Sequence, residues 1–268
     1  MQHEQLGQIV RSAGALVREA QHIEDSVREK TSPRDLVTQY DTSVQEFLRR
    51  ALKEALPEAG FFGEEEQAHE IAGKRAWFIV DPIDGTTNFI RHLHHSAISV
   101  GLFQDGQVVC GAVYNPFFDE LFTAERGKGA YLNGRPIHVN EVPLSQSLAL
   151  FGSAVYDQPT IPATMRLMQE LFPRVLDFRR GGAAALDLCY LAAGRGDVFF
   201  ECSLSPWDYA AGSLIAQEAG ATVTALTGKP LHFDKICSVA AGNTVNYPEL
   251  MELATRISAE PDMKGRIR

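Results

Sequence analysis

The sequence predicts a layered α+β fold, and three observations support this prediction. Two amphipathic helical patterns fill the stretch before Pro57, and short apolar runs separated by turns follow between Phe61 and Ala124. After Met165, helical and strand patterns alternate through the rest of the sequence. A strand-rich middle with helices on both sides favours helices packed on sheets, with two sheets abutting at one shared site.

The first part of the sequence predicts two helices joined by a polar loop. Apolar residues recur at helical spacing over residues 4–29, which indicates one long amphipathic helix. Residues 30–34 break this pattern, and residues 35–38 form a short extended piece. Asp41 then caps a second helix, which ends at Pro57 because proline cannot continue a helix.

The middle and C-terminal parts predict short strands and further helices. Residues 77–80 indicate a buried strand that leaves the sheet at Asp81. Turn signals separate the apolar runs at 97–103, 108–114 and 121–124, which predicts an antiparallel meander. The remaining predicted elements are helices at 165–172, 183–193, 207–219 and 247–257 and strands near 175–178 and 198–200.

The composition excludes several classes of protein. Among 268 residues, 45% are hydrophobic and 22% charged, which is ordinary for a globular protein with a sizeable core. A net charge of −9 argues against a nucleic-acid binder, although bound cations could still attract a small anion. The four cysteines form no CxxC pair, so we expect buried free thiols. The sequence shows no signal core and no apolar run of membrane length, so we expect a soluble, cytoplasmic protein with no membrane partner.

The stretch Asp81-Pro82-Ile83-Asp84-Gly85-Thr86-Thr87-Asn88-Phe89 carries the strongest functional signal. Pro82 fixes its own φ and keeps Asp81 extended, which stiffens the turn that holds both carboxylates. Gly85 lets the backbone bend closely, and the following polar residues suit a helix start with free N–H groups. Carboxylates beside N–H donors indicate metal-assisted phosphate chemistry.

Further acidic residues follow strands or open helices, namely Glu64, Glu65, Glu66, Glu201 and Asp208. Carboxylates gathered in one place repel each other unless cations neutralise them, and Mg²⁺ prefers oxygen ligands. We therefore hypothesise that these segments converge around Mg²⁺. Taken singly, Asp208 is equally well explained as a helix cap, and residues 64–66 as a solvated turn.

Two long motifs resemble the signatures of the inositol monophosphatase family: the Asp81 stretch and Trp207-Asp208-Tyr209-Ala210-Ala211-Gly212. Gly63-Glu64-Glu65 resembles the third family element, residues 30–38 resemble its mobile loop, and residues 180–188 resemble its substrate-side helix. The resemblance covers nearly the whole chain. It implies a single domain over residues 1–268, a layered αβαβα sandwich of the inositol monophosphatase and sugar phosphatase type. Its N-terminal metal-binding half would span about 1–140 and its C-terminal half about 141–268.

The resemblance also implies a set of metal ligands and catalytic residues. Glu64, Asp81 and the Ile83 carbonyl would hold one Mg²⁺, and Asp81, Asp84 and Asp208 a second. A weaker third ion would lie near Glu64 and Glu65, which gives two to three Mg²⁺ per subunit.

The same resemblance implies how substrate is held. Gly85 and Thr86 would donate N–H groups to the phosphate, and the Thr86 hydroxyl, oriented by Asp41, would help Glu64 deprotonate water. The alcohol portion would face Ala184 and Glu201, beside Asp84 and Asp208. Lys30 would belong, with Glu65 nearby, to a loop that orders when metal binds.

The implied activity is Mg²⁺-dependent hydrolysis of a phosphorylated polyol or sugar, most simply myo-inositol 1-phosphate. It would use metal-activated water without a phosphoenzyme, in a Li⁺-sensitive homodimer. Alternatives within the fold are fructose 1,6-bisphosphate, a nucleotide 3′-phosphate or the 2′-phosphate of NADP, and nucleic acid is not expected as a substrate. A regulatory binding protein with secondary hydrolysis is the alternative from another class. Aspartyl-phosphate phosphatases are disfavoured because they space two aspartates two positions apart, whereas Asp81 and Asp84 are three apart.

Several residues depart from the family pattern or have simpler explanations. Ala183 stands where the family more often has Ser or Thr, so no hydroxyl contact is expected there. The histidines His92, His94 and His95 could bind a transition metal, but solvated side chains are the preferred interpretation because no fourth ligand is evident. Asp187 is expected inside a helix, where it makes a local hydrogen bond.

Overall fold

Seven helices and fourteen strands form the part of the chain that the computed structural model describes, residues 1–30, 32–66 and 75–268. The helices are α1 (His3–Arg18), α2 (Gln39–Ala55), α3 (Thr86–Ile90), α4 (Ile161–Leu171), α5 (Ala184–Ala192), α6 (Pro206–Glu218) and α7 (Tyr247–Ala259). The strands are β1 (Arg28–Glu29), β2 (Leu36–Val37), β3 (Gly60–Gly63), β4 (Ala76–Asp84), β5 (Ala97–Gln104), β6 (Gln107–Asn115), β7 (Glu120–Glu125), β8 (Ala130–Leu132), β9 (Arg135–Ile137), β10 (Leu148–Phe151), β11 (Asp177–Arg179), β12 (Val198–Leu204), β13 (Thr222–Thr224) and β14 (Cys237–Gly242). None of the described helices combines the length and apolar character that a membrane span requires.

The strands form two large sheets and one small ladder. The larger sheet has seven strands in the order β3-β4-β5-β6-β7-β8-β9, and the smaller has five in the order β11-β10-β12-β14-β13. Strands β5, β6 and β7 are antiparallel neighbours, as the predicted meander requires. Strands β1 and β2 pair on either side of the polar loop, whose residue Thr31 lies outside the described residues.

Three apolar clusters arrange these sheets and helices into five layers. Phe78 and Val80 pack with α1 and α2, whereas Ile79 packs with α5 and α6, because successive strand residues face opposite sides. In the smaller sheet, Phe199 faces α5 and α6, and Phe200 faces α4 and α7. The order is therefore helices, sheet, helices, sheet, helices, which confirms the layered αβαβα fold. The two sheets were expected to abut, but α5 and α6 lie between them.

The long N-terminal helix is shorter than predicted. Helix α1 ends at Arg18, and a 3₁₀ turn at Ile23–Ser26 and strand β1 follow it. His22 adopts a left-handed backbone with φ of 52°, which an α-helix cannot accommodate. Ile23 is nevertheless only 3% exposed. The apolar pattern in the sequence continues past Arg18 because the 3₁₀ turn also buries an apolar side chain, that of Ile23.

Two predicted boundaries near the acidic residues are wrong. Thr38, not Asp41, is the N-cap of α2, and Asp41 instead accepts a hydrogen bond from the Thr38 N–H at 2.8 Å. Strand β4 does not end at Asp81 but runs to Asp84. Its pairing with β5 shifts register between these two aspartates, across Pro82, which has no N–H to donate to a ladder.

Candidate active site

A cleft with a volume of ≈ 750 Å³ lies where the ends of both sheets meet the starts of three helices. Strand β4 contributes its last residues, β12 contributes Glu201, and α6 contributes Trp207 and Asp208. Lys30 and Glu64 reach it from the N-terminal part of the chain. The fold therefore brings segments that are far apart in sequence to one place, as hypothesised.

Four carboxylates, Glu64, Asp81, Asp84 and Asp208, form what we call the acidic wall of this cleft. Asp81, Asp84 and Asp208 each offer a ligand oxygen, and these oxygens lie within 4.8 Å of one another. Among the described residues, no other group of three His, Cys, Asp or Glu side chains is close enough to share an ion. The two signature segments thus meet at their aspartates.

Burial and repulsion between carboxylates raise the pKa values of Asp81, Asp84 and Asp208. Burial is the largest cause of the raised pKa of Asp81, and repulsion by Glu64, Asp84 and Asp208 adds to it. Burial also raises the pKa of Asp84 to about 7, and that of Asp208 well above its usual range. Buried carboxylates that repel each other are stabilised by hard cations with oxygen ligands, so this donor set fits Mg²⁺.

Helix starts hold two of the site carboxylates in place. Asp208 accepts a hydrogen bond from the Ser205 N–H at 2.7 Å, and Asp41 makes the equivalent bond to Thr38. Each aspartate is the third residue of its helix, three positions after a Ser or Thr N-cap. Asp208 therefore satisfies its helix start and belongs to the acidic wall, so capping alone does not account for it.

The turn after β4 places the Thr86 hydroxyl between two acceptors. This hydroxyl lies 3.1 Å from Asp41 Oδ1 and 3.0 Å from the Ile83 carbonyl. Asp41 is fully buried, and burial raises its pKa to about 6. Gly85 has φ of 85°, and a Cβ there would lie 3.1 Å from the Gly182 carbonyl. This left-handed backbone favours glycine at position 85. Gly85 and Thr86 both line the cleft.

Lys30 neutralises part of the acidic wall. Its Nζ donates to Glu64 Oε1 at 2.9 Å and to Glu65 Oε1 at a shorter distance. Burial disfavours the Lys30 charge, but Glu64 and Glu65 outweigh it and raise the pKa of Lys30. Burial raises the pKa of Glu65 to about 7. With side-chain exposures of 22% and 12%, Glu64 and Glu65 are not a solvated turn.

A second face of the cleft consists of Glu201 and of the segment Gly152, Ala154, Val155 and Tyr156, which we call the loop wall. The Ala154 N–H donates to Glu201 Oε1 at 3.1 Å. Glu201 is 6% exposed, and burial raises its pKa to about 8. Tyr156 is 51% exposed at the cleft mouth. Of this face, only Glu201 was predicted.

Helix α5 brings the predicted Ala184 and the unpredicted Asp187 to the cleft. The Ala185 N–H donates to Asp84 Oδ2 at 2.7 Å, which joins this helix to the acidic wall. Asp187 was expected inside the helix, but it lies in the first turn of α5. Its carboxylate is 3.6 Å from His95 Nε2. The methyl group of Ala183 also lines the cleft.

The three neighbouring histidines point to different partners. His92 Nε2 lies 2.9 Å from Glu24, His94 stacks on Phe117, and His95 faces Asp187. They do not converge on one metal ion. Two further lining residues belong to irregular segments: Arg34 lies in the predicted loop segment 30–38, and Ile236 carried no sequence signal.

Comparison with known sequences identifies the family. The chain matches the model of the inositol monophosphatase family over residues 4–259. The inositol-1-monophosphatase of Bacillus subtilis is 34% identical over 244 residues, which cover 91% of this chain and 92% of that protein. The Nus factor SuhB of Vibrio cholerae is 42% identical over 195 residues, which cover 72% of this chain and 73% of that protein.

Solved structures agree with this assignment. The extragenic suppressor protein suhB from Bartonella henselae superposes with a TM-score of 0.87 at 36% identity, covering 94% of this chain and 98% of that one. The inositol monophosphatase from Anabaena gives 0.83 at 29% identity, covering 95% of each chain. From its fold, its acidic cleft and these relatives, the chain belongs to the inositol monophosphatase family.

Proposed function

We propose that this protein is a Mg²⁺-dependent phosphoric monoester hydrolase whose first candidate substrate is myo-inositol 1-phosphate. The observation that carries the proposal is the acidic wall, where oxygens of Asp81, Asp84 and Asp208 lie within 4.8 Å of one another. Such a buried set needs cations, and hydrolysis of phosphate monoesters is a reaction that divalent cations assist. The family membership supports the same activity.

The ligands for these ions are taken from the acidic wall. One ion would be held by Glu64, Asp81 and the Ile83 carbonyl, and a second by Asp81, Asp84 and Asp208. A third, weaker ion would lie near Glu65. When bound, these ions supply Lewis-acid activation of water and stabilise the charge on the phosphate and the departing oxygen.

The chain's own groups orient the reactants and move the proton. Gly85 and Thr86 donate N–H groups to the phosphate, and Glu64 accepts the proton of the attacking water. The Thr86 hydroxyl, 3.1 Å from Asp41, orients that water. Water attacks phosphorus as the bond from phosphorus to the alcohol oxygen breaks, and the departing alkoxide takes a proton from solvent, so no phosphoenzyme forms.

The alcohol portion of the substrate lies against α5 and the loop wall. Ala184 offers an apolar contact, and the carboxylates of Glu201, Asp84 and Asp208 accept hydrogen bonds from hydroxyl groups. A polyol satisfies such acceptors better than an apolar alcohol does. This chemistry favours a phosphorylated polyol or sugar as the substrate.

Phosphate release from myo-inositol 1-phosphate, measured across a Mg²⁺ titration, tests the proposal. We expect activity that EDTA removes and Li⁺ inhibits. Fructose 1,6-bisphosphate, a nucleotide 3′-phosphate and NADP, assayed in parallel, identify the preferred substrate. Mg²⁺-independent release, or no release from any of the four, would contradict the proposal. Light scattering of the same preparation tests the expected homodimer.

The relatives named Nus factor SuhB support a second candidate, a regulatory protein for which hydrolysis is secondary. A complementation experiment in cells that lack this protein distinguishes the two roles. Full complementation by Asp81→Asn would favour the regulatory role, because that variant removes a carboxylate common to both proposed ions. Failure of the same variant, expressed at wild-type level, would favour hydrolysis.

A further inference from the structure

Backbone N–H groups hold the loop wall against Glu201 and strand β12. Besides the Ala154 N–H bond to Glu201, the Gly152 N–H donates to the Phe200 carbonyl at 3.2 Å. A Cβ on Gly152 would lie 1.8 Å from Glu201 Oε2, so this backbone passes directly over the carboxylate. Ala154 adopts a left-handed backbone with φ of 40°, which non-glycine residues adopt only when their surroundings hold them. We therefore expect residues outside the loop wall to hold this backbone conformation.

Asp157, directly after the loop wall, makes that connection. Its N–H donates to the Ala154 carbonyl at 2.8 Å, which closes the loop. Its carboxylate accepts two parallel bonds from Arg268, with Nε and Nη2 each 2.9 Å from an oxygen. Ser203 Oγ donates to the same carboxylate at 2.9 Å. Bidentate pairing fixes orientation as well as distance.

Arg268 is itself fixed by a gap in the smaller sheet. The register of β12 with β14 shifts between Glu201 and Leu204, which leaves Cys202 and Ser238 outside the ladder. The Arg268 N–H donates to the Cys202 carbonyl at 3.0 Å, and its carbonyl accepts from the Ser238 N–H at 2.8 Å. One peptide segment thus satisfies the backbone groups that the bulge exposes.

The residues before Arg268 join this segment to the core. Met263 is 8% exposed within the apolar cluster of α4 and α7, and Ile267 packs against that cluster. Arg266 Nη1 donates to the Pro159 carbonyl at 3.1 Å, just beyond the loop. The segment 261–268 therefore connects the core of the smaller sheet to one wall of the cleft.

We propose that Arg268 is a positioning residue for substrate binding, which acts through Asp157 to hold the loop wall against Glu201. The claim rests on the proposed hydrolase activity only for its effect on the substrate's alcohol portion. The hydrogen bonds of Arg268 go to Asp157, Cys202 and Ser238 and not to the acidic wall, so we expect metal binding to be independent of it. Its loss loosens the loop wall and weakens substrate binding, whereas the phosphate and metal side stays intact.

Kinetics of Arg268→Ala with myo-inositol 1-phosphate test this role. KM should rise about twofold to fivefold, the effect expected from the loss of one partly exposed ion pair, with kcat and the Mg²⁺ half-saturation unchanged. Arg268→Lys should lie in between, because lysine keeps the charge but not the fork. Asp157→Asn should match Arg268→Ala, and the double variant should be no worse than either.

Arg256→Ala is the matched control, because Arg256 pairs with Glu170 at 2.6 Å on the surface and away from the cleft. It should leave KM unchanged. An equal KM rise in this control, or a fall in kcat and Mg²⁺ affinity in Arg268→Ala, would indicate general destabilisation and overturn the proposal.

Hydrogen exchange measured by mass spectrometry tests the loop directly and needs no activity. Arg268→Ala should speed exchange in residues 152–157 and leave residues 81–90 unchanged. Unchanged exchange in 152–157 would overturn the proposal, as would faster exchange in an active enzyme whose KM does not change. If the wild-type protein hydrolyses no phosphate, the hydrolase proposal fails while this experiment still decides whether Arg268 holds the loop.

Discussion

The two walls of the cleft are built on different physical principles. The acidic wall consists of carboxylates at or next to the ends of regular elements: Glu64 follows β3, Asp81 and Asp84 lie in the last part of β4, and Asp208 lies in the first turn of α6. Asp81 and Asp84 are buried, and Glu64 and Asp208 are partly buried. The loop wall is irregular backbone that lies over one carboxylate and places a half-exposed tyrosine at the cleft mouth. Side-chain chemistry therefore defines the first wall, and backbone position defines the second.

This difference has a functional consequence. Substitutions in the acidic wall change the charge of largely buried carboxylates and should therefore lower kcat and weaken ion binding. Changes to the loop wall alter shape in a partly solvated place and should act on substrate affinity. Mutations on the two sides of one cleft should thus be distinguishable by which kinetic constant they change.

Asp81→Asn should have the largest effect, because it removes a carboxylate from both proposed ions. We expect kcat to fall by about a thousandfold or more, several kcal/mol of lost stabilisation. Tyr156→Ala, in the loop wall, should instead raise KM and leave kcat nearly unchanged. Steady-state kinetics of both variants with myo-inositol 1-phosphate measure this contrast. Near-normal turnover in Asp81→Asn would contradict the assignment of the acidic wall.

Thr86→Val should come next, with kcat lowered about a hundredfold, at the lower end of the range for proton-transfer groups. The substitution keeps the shape of the side chain but removes the hydroxyl that lies 3.1 Å from Asp41. Thr86→Ser is the matched control and should retain most of the activity. If valine and serine behave alike, the hydroxyl plays no part in the reaction.

The metal-free protein should become less stable as pH rises. The pKa of Asp84 is about 7 in the folded protein, against an ordinary 3.8, so the folded state binds more protons between these values. Stability from this group is therefore complete at low pH and lost as pH rises through about 7. In EDTA, Tm of the wild type should fall relative to Asp84→Asn by on the order of 5 °C across this range.

Saturating Mg²⁺ should remove most of that difference in slope, because bound ions neutralise the acidic wall. Parallel melting curves of the wild type and Asp84→Asn, with EDTA and with Mg²⁺, provide the measurement. Identical slopes for the two proteins in EDTA would show that burial of the Asp84 carboxylate does not limit stability.

Lys30→Met should have the smallest effect. Its ammonium group bonds Glu64, a proposed ligand, and so competes with a divalent ion for the same oxygen. Removing it should lower the Mg²⁺ half-saturation by about threefold to tenfold, as expected for one partly buried ion pair. Arg49→Met, which breaks the Arg49–Glu66 pair outside the cleft, is the matched control. Weaker Mg²⁺ binding in Lys30→Met would mean that the lysine supports the site instead.

The sequence predicted the acidic wall well because its chemistry requires particular residue types. Asp81, Asp84 and Asp208 were predicted to converge because they stand in two recognisable motifs, and the structure brings their oxygens within 4.8 Å of one another. The sequence pattern alone did not distinguish a proposed metal ligand from a helix-capping residue. Both Thr38-x-x-Asp41 and Ser205-x-x-Asp208 are capping boxes, and only the three-dimensional fold shows that Asp208 also lines the cleft and that Asp41 contacts the Thr86 hydroxyl.

The sequence did not predict most of the loop wall, or three strands of the smaller sheet. Gly152, Ala154 and Val155 act through backbone atoms, for which side-chain patterns carry no information. Strand β14 is buried at every position and consists mainly of small residues, so it lacks the alternation that marks a strand. Strands β10 and β13 are too short to show a period.

The most direct test of the central claim, that the acidic wall binds divalent cations, is anomalous diffraction from crystals soaked in Mn²⁺. We predict anomalous peaks among the carboxylates of Asp81, Asp84 and Asp208, and none in crystals of Asp81→Asn soaked alike. Peaks only elsewhere on the molecule, from crystals of an enzyme that is active with Mn²⁺, would contradict the account.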